Sequence, residues 1–143
     1  LLHQFDTRPK ADEILEKGIV KLFRSHIPKY KEGEHLRDFV YVKDITVVCL
    51  WLLRTRKHSA IYNLGSGKAR TFLDLANTVF SALGKKPKIE FVDTPADIRD
   101  KYQYFTEAKM EKLRSAGCDI KFHSLEEGIN DYVENYLKRR IFY

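Results

Sequence analysis

Residues 62–71 read YNLGSGKART. Two glycines, a serine and a lysine stand together there, as they do where backbone N–H groups cradle a phosphate. A loop of the P-loop kind needs GxxxxGK followed by Ser or Thr, because several N–H groups must converge on the phosphates while the hydroxyl holds magnesium. Here Ala69 follows Gly67-Lys68, and Tyr62 stands where the leading glycine belongs. A dinucleotide fingerprint, GxGxxG, requires glycine at position 70, which is Arg70. Both tests fail. The stretch reads instead as a tight strand-to-helix connection, with glycines for unusual backbone angles and Thr71 as a helix cap. An anion facing Lys68 and Arg70 is the lesser reading.

Other reactive side chains give less. His3, His35, His58 and His123 share no metal-ligand spacing with one another or with the cysteines, so no metal site and no chemistry is assigned to them. Cys49 lies inside the apolar run ITVVCLWLL, which predicts a buried free thiol. Nothing suggests a disulfide framework, and a reducing cytoplasm fits two cysteines in unrelated contexts. Trp51, among leucines, reads as core, and Asp38 and Asp44 read as structural.

The chain of 143 residues is long enough for one domain with a real core. Apolar residues make up 43% and charged ones 32%, a globular balance. No apolar run approaches the roughly 20 residues of a membrane span. The start, LLHQFDTRPK, lacks the pattern of a signal peptide, and without an initiator Met it suggests a piece of something longer. The formal charge of +6 permits nucleic acid, but acids are interspersed with the bases. There is neither an aromatic-interleaved basic stripe nor a helix-turn-helix pattern, so no nucleic-acid partner is expected. Only the end, LKRRIFY, is a basic cluster, and it reads as a solvated helix end.

These residues must be positioned by an alternation of strands and helices. KADEILEKG predicts a short helix closed by Gly18, and IVKLF a strand. Residues 24–36 read as an exposed loop and DFVYV as a strand. Asp44 is the expected N-cap of a helix, ITVVCLWLLR, apolar nearly all round and therefore buried. AIYNL predicts a short strand. Thr71 and Asp74 fit a capping box for FLDLANTVFSAL, closed by Gly84. KIEFV is a further strand, Thr106 caps EAKMEKLRSA, and Ser124 with Glu127 forms a second capping box for the last helix. The fold class is α/β.

LRDFVYVKDI, followed about twenty residues later by YNLGSGKARTFLDLA, resembles the C-terminal half of extended short-chain dehydrogenases/reductases acting on nucleotide sugars. RDKYQYFTEAKMEKLRSAGCD and FHSLEEGINDYVENYL are similar to the ADP-heptose 6-epimerase branch of that family, over roughly residues 18–140. The resemblance implies a small substrate-binding domain, residues 1–143, of which 1–17 match poorly, without the Rossmann domain that binds NADP. It further implies transient oxidation of the sugar and hydride return to its other face, in lipopolysaccharide core synthesis. The sequence has no GxxGxxG and no Tyr-x-x-x-Lys pair. No catalytic or cofactor-binding residue is therefore expected here, and the implied partners are an ADP-sugar, the Rossmann domain and, compatibly, further copies of the chain.

By the same resemblance, Arg37 of the RDFVYV motif contacts the substrate nucleotide; a surface pair with Asp38 or Asp44 is the alternative. Phe23-Arg24-Ser25-His26 aligns with a segment lining the ADP-sugar site, written FEGS in some members. Arg24 and His26 depart from it, and Phe23 serves equally as core. Tyr102 matches a substrate-contacting tyrosine, with packing of Tyr102 or Tyr104 as its alternative. Competing functions are another nucleotide-sugar epimerase or dehydratase, and a non-catalytic module binding a nucleotide or a protein.

Overall fold

The computed structural model describes residues 7–56 and 59–139. His3, His58 and the last four residues of LKRRIFY lie outside the described residues, as does the start of the chain up to residue 6. Helix α1 (Thr7–Lys17) ends where Gly18 takes φ +68 and donates its N–H to the Ile14 carbonyl. Strand β1 (Val20–Phe23) follows and pairs in parallel with β4 (Ile89–Val92), Val20 against Ile89. Between them run β2 (Leu36–Asp38), α2 (Val42–Thr55), β3 (Ala69–Thr71) and α3 (Phe72–Ala82). Strands β2 and β3 are antiparallel, with Arg37 opposite Arg70. After β4 come the short helices α4 (Ala96–Arg99) and α5 (Glu111–Ser115). Helix α6 (Leu125–Tyr132) then runs into a π-helical turn, Val133–Leu137.

The expected capping boxes form. Thr71 accepts from the Asp74 N–H while Asp74 accepts from the Thr71 N–H, and Ser124 and Glu127 repeat the arrangement. Helix α3 presents Phe72, Leu75, Ala76, Val79 and Phe80 to one core, which Ile14, Val20, Leu22, Ile129 and Val133 complete. A second core joins Val48, Leu113 and Cys118, with Trp51 packed against it.

Several sequence expectations are corrected. DFVYV is not a strand: β2 lies earlier, at Leu36–Asp38, because its partners are Ala69–Thr71 and the bridged Phe105. AIYNL is irregular, and Thr106 donates its N–H to Leu36 instead of capping a helix, which here is only Glu111–Ser115. Helix α2 starts at Val42, so Asp44 sits inside its first turn. Its buried carboxylate accepts from the backbone N–H of His123 and meets His123 Nδ1 at 2.6 Å. Nor is α2 buried all round. Val48 packs inward, whereas Val47, Leu50 and Leu53 are exposed and Cys49, expected inside, lies on the surface. An apolar run is buried only where a neighbour exists to cover it.

Candidate functional site

Residues 24–36 are not a wholly exposed loop, since their far end turns inward. Gly33 adopts φ +74 with Leu73 so close that a Cβ would stand 2.7 Å from Leu73 Cγ. The carbonyls of Gly33 and His35 accept from Leu73 and Phe72, whose N–H groups the first turn of α3 leaves without helical partners. This pulls His35 into the interior, at 1% exposure. Leu36 then donates to the Tyr104 carbonyl, which lays the segment 102–106 along β2.

The result is a cluster of rings against which the Arg37 guanidinium lies. Tyr102 Oη lies 3.1 Å from His35 Nδ1, and Tyr104 stacks on Tyr30 at 5.8 Å. Phe23 meets Tyr102 edge-on, with centroids 6.3 Å apart. The Arg37 guanidinium lies over the Tyr102 ring at 5.6 Å and over Phe72 at 5.8 Å. It donates to the main-chain carbonyls of Leu36 and Gln103. Among the described residues no carboxylate pairs with it, whereas the opposite Arg70 is held by Asp74 at 3.1 Å and Glu126 at 2.8 Å. Burial pulls the Arg37 guanidinium below its ordinary value. Burial also pushes the Tyr102 hydroxyl up to about 12, against the opposing charge of Arg37.

Phe23, Arg37 and Tyr102 thus share one cluster, and His26 borders it through its N–H, 3.3 Å from Tyr104 Oη. The His26 ring turns toward Thr94, whose N–H lies 3.4 Å from Nε2. Arg24 faces outward to Glu32 at 2.9 Å and Asp93 at 3.8 Å, and Ser25 closes a local turn on Ile27. Sequence reasoning passed over His35, for which no spacing gave a signal. The aromatic density of KYQYF was the one hint to Tyr104. None of these rings lines either of two cavities nearby in sequence. A cavity of about 390 Å³ lies between Phe39–Val42 and α6, and one of about 490 Å³ beside Asn63–Gly65 and Thr106–Lys109.

The glycine loop is resolved as structural. The Asp38 carboxylate accepts from the N–H groups of Ser66 (2.6 Å), Gly67 (2.9 Å) and Ala108 (2.9 Å), and from the Ser66 hydroxyl. Glu107 takes the N–H of Ala69 at 2.8 Å. The donors a phosphate would need are spent on the chain's own acids.

Comparison with known proteins places this architecture. The description "NAD dependent epimerase/dehydratase family" matches residues 5–65. ADP-L-glycero-D-manno-heptose-6-epimerase of Nitratidesulfovibrio vulgaris (strain DP4) is 48% identical, over 87% of this chain and 39% of that protein. The chain is a relative of these epimerases. The Fusobacterium nucleatum enzyme of the same name is 46% identical, over 90% of this chain and 40% of its own length. The chain spans about two fifths of the length of both curated relatives. The crystal structure of the Helicobacter pylori ADP-L-glycero-D-manno-heptose-6-epimerase superposes with a TM-score of 0.71 at 26% identity, covering 89% of this chain and 36% of that one.

Proposed function

We propose that this chain is the C-terminal, substrate-binding portion of a nucleotide-sugar epimerase whose substrate is an ADP-heptose, in lipopolysaccharide core synthesis in the cytoplasm. The observation that carries the reading is Arg37: half-buried, fixed by two main-chain carbonyls against Tyr102, and without a carboxylate partner among the described residues. A guanidinium so held keeps donors for a diphosphate, which it binds through charge-assisted hydrogen bonds. The relatives at 46–48% identity favour the heptose over other nucleotide sugars.

The residues present do not fit a dinucleotide. The loop gives the N–H groups of Ser66 and Gly67 to Asp38, and the sequence has neither GxxGxxG nor Tyr-x-x-x-Lys. No hydride-transfer step is assigned to this chain, and NADP, as the resemblance implies it, belongs to a Rossmann domain. The exposed apolar face of α2 is the surface we assign to that domain. It is unpartnered here, and about three fifths of the relatives' length has no counterpart in this chain.

Calorimetric titration with ADP-heptose, ADP and UDP-sugars tests the reading. ADP-heptose binds best, and Arg37→Ala weakens it by about ten- to a hundredfold, the worth of a charge-assisted hydrogen bond. Equal weak heats for all ligands, unchanged in the variant, overturn it.

A further inference from the structure

His35 breaks a local rule. It is buried among the rings of Tyr30, Phe72, Tyr102 and Tyr104, a setting that an apolar side chain would fill without polar atoms to satisfy. Its Nε2 is buried and has no hydrogen-bond partner among the described residues. An interior polar atom left so is unfavourable and uncommon, and calls for an explanation beyond packing. Such violations concentrate at functional positions.

The other ring nitrogen supplies the explanation. Nδ1, 3.1 Å from Tyr102 Oη, is the one hydrogen-bond partner of that hydroxyl among the described residues. The Tyr102 ring in turn lies under the Arg37 guanidinium. Burial, then the neighbouring Arg37, lowers the His35 value and so favours the neutral ring. A neutral imidazole donates from one nitrogen and accepts at the other, whichever tautomer is present. Either way it uses one hydrogen-bonding position of the phenol and leaves the rest for another group.

We propose that His35 is a positioning residue: its Nδ1 fixes the Tyr102 hydroxyl on the ring over which Arg37 lies, so that phenol and guanidinium together meet the phosphate or ribose oxygens of a nucleotide sugar. The inference rests on the proposed function and adds a residue to it. The chemistry is pre-organisation, in which a hydroxyl held before the ligand arrives need not be ordered by it.

The test uses the full 143-residue chain and ADP-heptose as the probe. By calorimetry, His35→Phe lowers affinity about tenfold. His35→Asn, whose amide puts a polar atom near the place of Nδ1, restores it to within about threefold. In the pair His35→Phe with Tyr102→Phe both partners become apolar, so the thermal midpoint holds while affinity stays low. A merely structural His35 would lose stability and affinity in parallel. Nitrogen NMR supplies a readout of the hydrogen bond independent of any ligand: Tyr102→Phe moves the His35 Nδ1 resonance.

Wild-type affinity in His35→Phe overturns the inference alone, as does an Nδ1 resonance that ignores Tyr102→Phe. A wild-type chain that takes no ADP-heptose overturns the proposed function and the inference's ligand with it. If His35→Phe alone does not fold, the pair is compared with Tyr102→Phe: positioning through the phenol gives equal affinity in both, and a further loss in the pair overturns the inference.

Discussion

Asp131 shows how much a single side chain on the surface of α6 organises. The Lys43 ammonium lies 2.6 Å from its carboxylate, the Tyr41 hydroxyl donates to the same oxygen, and Asn135 donates to the other at 2.8 Å. The Lys43 hydrogen bond, and then that of Tyr41, hold the carboxyl down to about 2. A folded value below that of the unfolded chain, about 3.9, means that folding favours the ionised form. Its stabilisation is therefore full above about pH 5 and is lost progressively as the pH falls through 2 toward about 1. The group is partly solvated, so screening leaves on the order of 0.5–1 kcal/mol. Asp131→Asn should lower the urea-unfolding free energy by that amount at pH 7 and by progressively less as the pH falls from about 5 through 2. A difference of the same size at pH 7 and pH 2 would contradict this account. Arg37 and Tyr102 were legible as residue types in the sequence, but their shared setting was not. It depends on a bridge between Leu36 and Phe105, about seventy positions apart.

Among the elements, the antiparallel β2–β3 pair and the glycine loop beside it depend on one carboxylate. Asp38 collects three backbone N–H groups from two segments, 66–67 and 108, that no helix or ladder satisfies. Gly65 is required beside it, since a Cβ there would lie 2.5 Å from Asp38 Oδ2. Asp38→Ala strands those donors in a partly buried place and should cost about 3 kcal/mol, from about 1–3 kcal/mol for each unsatisfied group with partial access of water. Amide exchange should accelerate first at Ser66, Gly67 and Ala108. An unfolding free energy within 0.5 kcal/mol of wild type, on the order of an ordinary surface change, would remove Asp38 from this role. The helices with local signals, α3 and α6, started where Thr71 and Ser124 placed them. The short strands carried no such signal, because three residues pair only where a distant partner dictates it.

For the molecule as a whole, the uncovered face is α2. Leu53 is 68% exposed, Val42 57%, and nearby Ile61 89%. Leu53→Lys should reduce binding of a hydrophobic dye to the isolated chain. Its unfolding free energy should stay within about 0.5 kcal/mol of wild type, because nothing packed is removed. A large loss of stability would instead place Leu53 in the fold's own core. No described helix is long and apolar enough to cross a membrane.

The sequence by itself determined the features that are local in cause: the two capping boxes, the glycine stops at Gly18 and Gly84, the α/β alternation and the failure of the phosphate-loop spacing. Motifs separated along the chain also carried the resemblance to nucleotide-sugar epimerases. Tertiary structure decided what depends on company. It put Cys49 outside and Asp44 against His123, filled the glycine loop with Asp38, and drew His35 inward to meet Tyr102. The physical reason is the range of the interactions. A cap is satisfied within four residues, whereas burial and hydrogen-bond pairing are settled by whichever distant segment the fold brings alongside.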